Sequence, residues 1–86
     1  MKSSNILYIN LGKELGRLDN LKEKIEFALE NKSMNGLSIM VAQSNLISQM
    51  NVVKSIAKDL AIGIDKIDFD DYNELLEILE KRSQVY

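Results

Sequence analysis

Apolar residues along this chain come in short bursts whose spacing changes from segment to segment. Asn5–Leu11 is a compact run rich in Ile and Tyr, closed by Gly12, and it predicts a buried strand. Leu18, Leu21, Ile25, Ala28 and Leu29 then recur at three- and four-residue steps. Glu and Lys fill the other face and Asp19 is available as a cap, so an amphipathic helix is predicted over Leu18–Asn31. Asn35-Gly36 signals a turn. Leu37–Ala42 predicts a second buried strand, with Gln43-Ser44-Asn45 as a polar loop at its C-terminal end.

The next segment reads in two ways. Leu46, Ile47, Met50, Val53, Ile56, Ala57 and Leu60 fit one face of a single helix, yet Val52–Ala57 also suits a short strand between two short helices. Lys66–Phe69 predicts a strand. Asp70 is placed to cap a last helix, Asp71–Lys81, with Leu75, Leu76, Ile78 and Leu79 on its apolar face. Strands alternating with helices imply an α/β domain built on a small, mainly parallel sheet flanked by helices. Such a sheet needs cover on both faces. One domain spanning residues 1–86 has few helices to give it, so part of the cover is expected to come from another subunit.

Composition narrows the chemistry. The 86 residues include no His, Cys, Trp or Pro. Soft-metal sites, thiol nucleophiles and the common catalytic triads therefore cannot be built, and neither catalytic residues, metal ligands nor a cofactor site are expected. With 11 basic and 13 acidic residues the net charge is −2, whereas a nucleic-acid binder normally presents a basic face.

The layout of charge is uneven. Residues 1–32 mix both signs and the last 28 residues are acidic. Ser33–Val53 carries no charge at all. Ten of those 21 positions are polar or Gly, too many for a bilayer span of about 20 mostly apolar residues. Interface cores are depleted in charge, so this segment is expected to be buried in the domain or against a partner. The N-terminal apolar run is too short for a secretory signal, which predicts a cytoplasmic protein.

Several strings then resemble the small sulfur-relay proteins of the DsrE/DsrF/DsrH superfamily, nearest the DsrH/TusB branch. They are the opening Asn5-Ile-Leu-Tyr-Ile9, Ser38–Leu46 with Gln43 and Asn45, Val53–Leu60 followed by Ala61-Ile62-Gly63, and Ile67–Tyr72 with Leu75 and the closing Val85-Tyr86. Ile62-Gly63 stands where that branch commonly has Arg-Gly. The resemblance implies a DsrE-like, three-layer α/β/α fold with a strand over Val52–Ala57. It also implies a non-catalytic oligomerisation subunit of a cytoplasmic sulfur-relay complex, supporting persulfide transfer toward tRNA wobble-uridine 2-thiolation or sulfur oxidation. Zero Cys suits the subunit that leaves the sulfur to another chain. The implied partners are a homo-oligomer, or a hetero-oligomer with Cys-bearing DsrE/DsrF-like subunits, and no direct contact with nucleic acid or membrane.

The candidate interface or ligand loop on this reading comprises Met40, Val41, Gln43, Ser44, Asn45 and Tyr86. Other motifs carry less. Gly12–Gly16 lacks the Gly-Lys-Ser/Thr of a phosphate loop, and Asp65–Asp71 lacks calcium-loop spacing. Lys58-Asp59 reads as a solvated pair, and Tyr72 as a packing aromatic. Two further classes stay open. One is a helix-turn-helix-like DNA-binding regulator, suggested by Ile56–Ile67. The other is an all-helical interaction protein built on a hairpin of residues 6–31 and 37–66.

Overall fold

The computed structural model describes residues 2–63 and 66–85, and among these there is no strand. Three helices make up the fold: α1, Lys2–Glu30; α2, Gly36–Asp59; and α3, Asp70–Val85. The expected α/β three-layer, DsrE-like architecture is therefore overturned, together with the parallel sheet that defined it. Asn5–Leu11 lies in the first half of α1, Leu37–Ala42 in the first turns of α2, and Val52–Ala57 deep in the same helix. Lys66–Phe69 is part of the irregular connection to α3, and the supposed loop Gln43-Ser44-Asn45 is helical. Asp19 sits mid-helix rather than at a cap.

The reason lies in periodicities longer than any one apolar run. Buried Leu11, Leu18 and Ile25 of α1 repeat every seven residues, with half-buried Leu7, Leu15, Leu21 and Leu29 filling the same side. In α2 the buried set is Ile39, Ala42, Leu46, Met50, Val53 and Ala57, at steps of three and four without a break. Each pattern is a continuous helical stripe running straight through its supposed strand.

Local chemistry marks the ends. Asn35 caps α2, its side-chain oxygen accepting from the Ser38 amide at 2.8 Å. Phe69 occupies the cap position of α3, its carbonyl accepting from the Asn73 amide. Asp68, not Asp70, supplies the capping carboxylate, accepting from the Asp70 amide at 2.9 Å. Asp70 and Asp71 are in the first turn, where the helix dipole favours anions. Both α1 and α2 close in the same way. The Ser33 amide donates to the Ala28 carbonyl and the Lys32 amide to Leu29; likewise Ile62 donates to Ala57 and Ala61 to Lys58. These are Schellman closures, and they place Lys32 and Ala61 at φ of 52° and 57°.

α2 is the centre of the molecule, packing against α1 on one flank and α3 on the other. α1 and α2 run antiparallel and are tied midway by Gln49, whose Nε2 donates to the Glu14 backbone carbonyl at 3.0 Å and to its carboxylate at 2.6 Å. α3 lies beside only the second half of α1: Lys22 and Glu26 border one crevice with Asp71, Glu74 and Ile78, and Leu29 another with Arg82. Three helices thus share one end of the bundle, while α2 is the helix that lies beside the first half of α1, and Leu60, Ile62, Ile67 and Phe69 of the connection to α3 also pack into the core. The molecule measures 49 × 19 × 17 Å, its long axis set by α1, which spans about 43 Å.

Candidate docking face

The core takes only part of α2. Turning the helix about its axis, Ile39, Leu46, Val53 and Ala57 point inward, and half-buried Lys54 reaches toward α3, its ammonium 5.2 Å from the Phe69 ring centre. The opposite side presents Leu37, Met40, Val41, Ser44, Ile47, Ser48, Asn51, Val52 and Ser55, all exposed. None is charged. Five are large and apolar, with between 40% and 72% of their surface open. A solvated helix face ordinarily carries charge at such positions, so this one departs from the rule along most of its length.

Beside it runs a shallow trough between α1 and α2, on the flank away from α3. Its upper part, about 390 Å³, is bordered by Leu21, Ile25, Met34, Leu37 and Val41. Its lower part, about 470 Å³, is bordered by Arg17, Asn20, Ser48, Gln49 and Val52. Leu21, Lys24 and Asn45 border both, so the two parts are continuous. Arg17 and Lys24 give the α1 wall a positive rim, although Arg17 also bonds Glu14 at 2.8 Å.

No family model, curated protein or solved structure matches the chain. What the face can do is therefore argued from its own residues. Of the positions singled out in the sequence, Met40, Val41, Ser44 and Asn45 come together on the outward side of one helix, not at a strand end. Gln43 is half-buried and lies on the α3 side of α2. Tyr86 lies outside the described residues. Leu37, Ile47 and Val52 complete the face and were missing from the candidate set. The signal that finds them is the stretch without charge, once it is wound at 3.6 residues per turn instead of two.

Residues 5–12 of α1 are likewise uncharged and expose Ile6, Tyr8 and Ile9, whereas α3 is charged. The exposed side of α3 carries Asp70, Asp71, Glu74, Glu77, Glu80, Lys81 and Arg82. Lys22 is held protonated above its ordinary range chiefly by its hydrogen bond to Glu26, 3.1 Å away. Burial raises the Tyr72 phenol above its ordinary value of 10.0, and the negative charge of Asp19 adds to the shift. No polar or charged side chain among the described residues is buried, and no cluster of three or more acidic side chains suited to a metal ion occurs among them. Among the described residues no helix is long and apolar enough to cross a membrane.

Proposed function

We propose that this chain is a non-enzymatic helical interaction module, which works by presenting the neutral outer face of α2 to another protein surface. One observation carries the proposal: Leu37 to Ser55 supplies nine exposed positions on one side of a helix, five of them large and apolar, with no charge among them. Contiguous apolar surface ringed by polar residues is a common sign of a binding site. Depletion of charge is the compositional mark of an interface core. The trough along α1 widens the same surface. Acid–base groups are tuned by burial, and the described polar side chains of this chain all reach the surface.

The sulfur-relay role rested on a fold the chain does not have, and it is not carried forward. A DNA-binding role needs cations facing phosphates; here α2 offers a neutral face and α3 an acidic one. A cytoplasmic setting belongs to the same proposal, supported by the lack of Cys in so small a chain, since secreted domains of this size commonly rely on disulfides.

The test is co-purification of the tagged chain from its native host, in parallel with Met40→Glu and Val41→Glu. These side chains are 63% and 50% exposed, so the variants are expected to keep wild-type helicity. A protein recovered with the wild type and lost from both variants is the expected result. Recovery of the same proteins by all three, or of none by any, overturns the proposal.

A further inference from the structure

We infer that the trough between α1 and α2 is the seat of an acidic amphipathic helix, supplied by a partner protein, whose apolar stripe fills the trough and whose carboxylates line the α1 side. This rests on the docking role above and deepens it by giving the chemistry of the partner.

The sorting of charge around α1 carries the inference. At 3.6 residues per turn, Lys13, Arg17 and Lys24 fall within a sector of about 40°. All three are exposed, and Arg17 and Lys24 border the trough. Asp19, Glu23, Glu26 and Glu30 fall within about 60° on the far flank, centred roughly 130° away. Lys22 sits on that acidic flank, bound to Glu26. On the trough side the acid is Glu14, whose carboxylate is already held by Gln49 at 2.6 Å and by Arg17 at 2.8 Å. Three exposed cations thus stand against one tied carboxylate, and the α1 wall is positive.

The facing wall is neutral. α2 carries no charge from Gly36 to Val53, and no carboxylate borders either part of the trough. Asp59, the first acid of α2, stands about two turns beyond Val52. Between the walls, Leu21, Leu37, Val41 and Val52 make the lining apolar.

A trough of this kind selects its occupant. A groove beside two packed helices takes a third through apolar side chains at three- and four-residue steps. Residues 37–52 of α2 give it a length of about 23 Å, roughly four turns. Arg17 and Lys24 are seven residues apart, so carboxylates seven residues apart on the partner meet both cations. The neutral α2 wall asks no charge of the partner's other flank. A basic helix would set like charges against the α1 wall, which is costly. A flat anionic surface would reach the cationic rim and leave the apolar lining uncovered. Lys13, one turn before Arg17, adds to the field that draws an acidic partner in.

The test is selection on the immobilised full chain from phage-displayed helical peptides of about 18 residues, about 27 Å long. Leu is fixed at the anchor steps, and Glu, Lys, Gln or Ala fills the flanking positions. Recovered peptides should carry Glu over Lys by at least about tenfold on one flank, at positions seven apart, and no such bias on the other. Lys24→Glu should turn the preference at one of those two positions from Glu to Lys, and Lys24→Gln should erase it there. Glu23→Lys, on the acidic flank, should leave the selection unchanged. All three side chains replaced are exposed, so circular dichroism should match the wild type. Recovery of no peptide, equal recovery of Glu and Lys, or a Glu bias that survives both changes at Lys24 overturns the inference. If one of these is found while a co-purified protein is still lost on Met40→Glu and Val41→Glu, the acidic helix falls and the docking role stands. A Glu bias that follows position 24, with the same proteins recovered by all three co-purified forms, keeps the trough as the site and removes the outer face of α2. Recovery of no peptide, with wild type but not Lys24→Glu sedimenting with phosphatidylcholine–phosphatidylglycerol vesicles, would assign the cations to lipid and overturn the inference.

Discussion

Lys32 and Ala61 occupy left-handed backbone positions, at φ of 52° and 57°, that glycine fills at no steric cost. The Schellman bonds around each hold it there, so the chain carries two small strains, each of roughly 1 kcal/mol. Ala61→Gly should stabilise the protein by about that amount, raising Tm by roughly 4–8 °C for a domain of this size. A thermal melt that leaves Tm unchanged or lowers it would contradict the account. Nothing in the sequence announces either position, because the usual marker, a glycine after the last helical turn, is absent at both. Gly63, the glycine that does follow α2, stands two residues too late.

Tyr72 sets a second test at this scale. Because its phenol holds its proton more tightly in the folded protein, the folded state binds more protons than the unfolded one above pH 10.0. The stability this provides is complete below that pH and is lost as pH rises through the folded value. Tyr72→Phe should therefore lose less stability than the wild type between pH 10 and the alkaline limit of the fold. Urea melts across that range measure it. Lys22 has the same sign, but its hydrogen bond to Glu26 is present in both proteins and cancels from the comparison.

Among the elements, α3 and the second half of α1 were legible in the sequence, since Leu75, Leu79, Leu18 and Ile25 recur at unbroken helical steps beside charged outer positions. The first half of α1 and the start of α2 were not. Their apolar residues are crowded together: Ile6, Tyr8 and Ile9, all β-branched or aromatic, in one case, and Leu37, Met40 and Val41 in the other. Crowding of this kind reads as a strand with both faces buried. In the folded protein the same residues are the exposed ones, and the buried positions beside them, Leu11 and Ile39, belong to longer stripes. An apolar outer face superimposed on an apolar inner face hides the period of both.

Gly12 strengthened the strand reading by seeming to close it. It lies instead inside α1, as does Gly16, and a Cβ added at either meets nothing within 4 Å. Each should accept Ala with a gain of about 0.8–1 kcal/mol, read from chemical denaturation. A loss on either substitution would mean that the bare backbone there serves a contact beyond the single chain.

For the whole molecule, the stretch without charge was visible from the start and its burial was the natural expectation. The structure divides it. Ile39, Ala42, Leu46, Met50 and Val53 are the core, and Leu37, Met40, Val41, Ser44, Ile47, Ser48, Asn51 and Val52 form the outer face, so one neutral segment serves two surfaces a half-turn apart. That is why a charge at Met40 or Val41 is expected to affect assembly and not folding, whereas the same change at Leu46 would strike the centre of the bundle.

The overreach of α1 past α3 has a consequence in time as well as in shape. Among the helices, α2 is the one beside residues 5–14, whereas residues 18–29 lie beside both α2 and α3. Free energies of local opening follow such differences in buried contact. Native-state hydrogen exchange should therefore resolve α1, continuous as it is, into two cooperative units. The first half should exchange through openings well below the global unfolding free energy, and the second half together with the middle of α2 should exchange only when the whole molecule opens. Uniform protection along α1 would show instead that the helix opens as one piece.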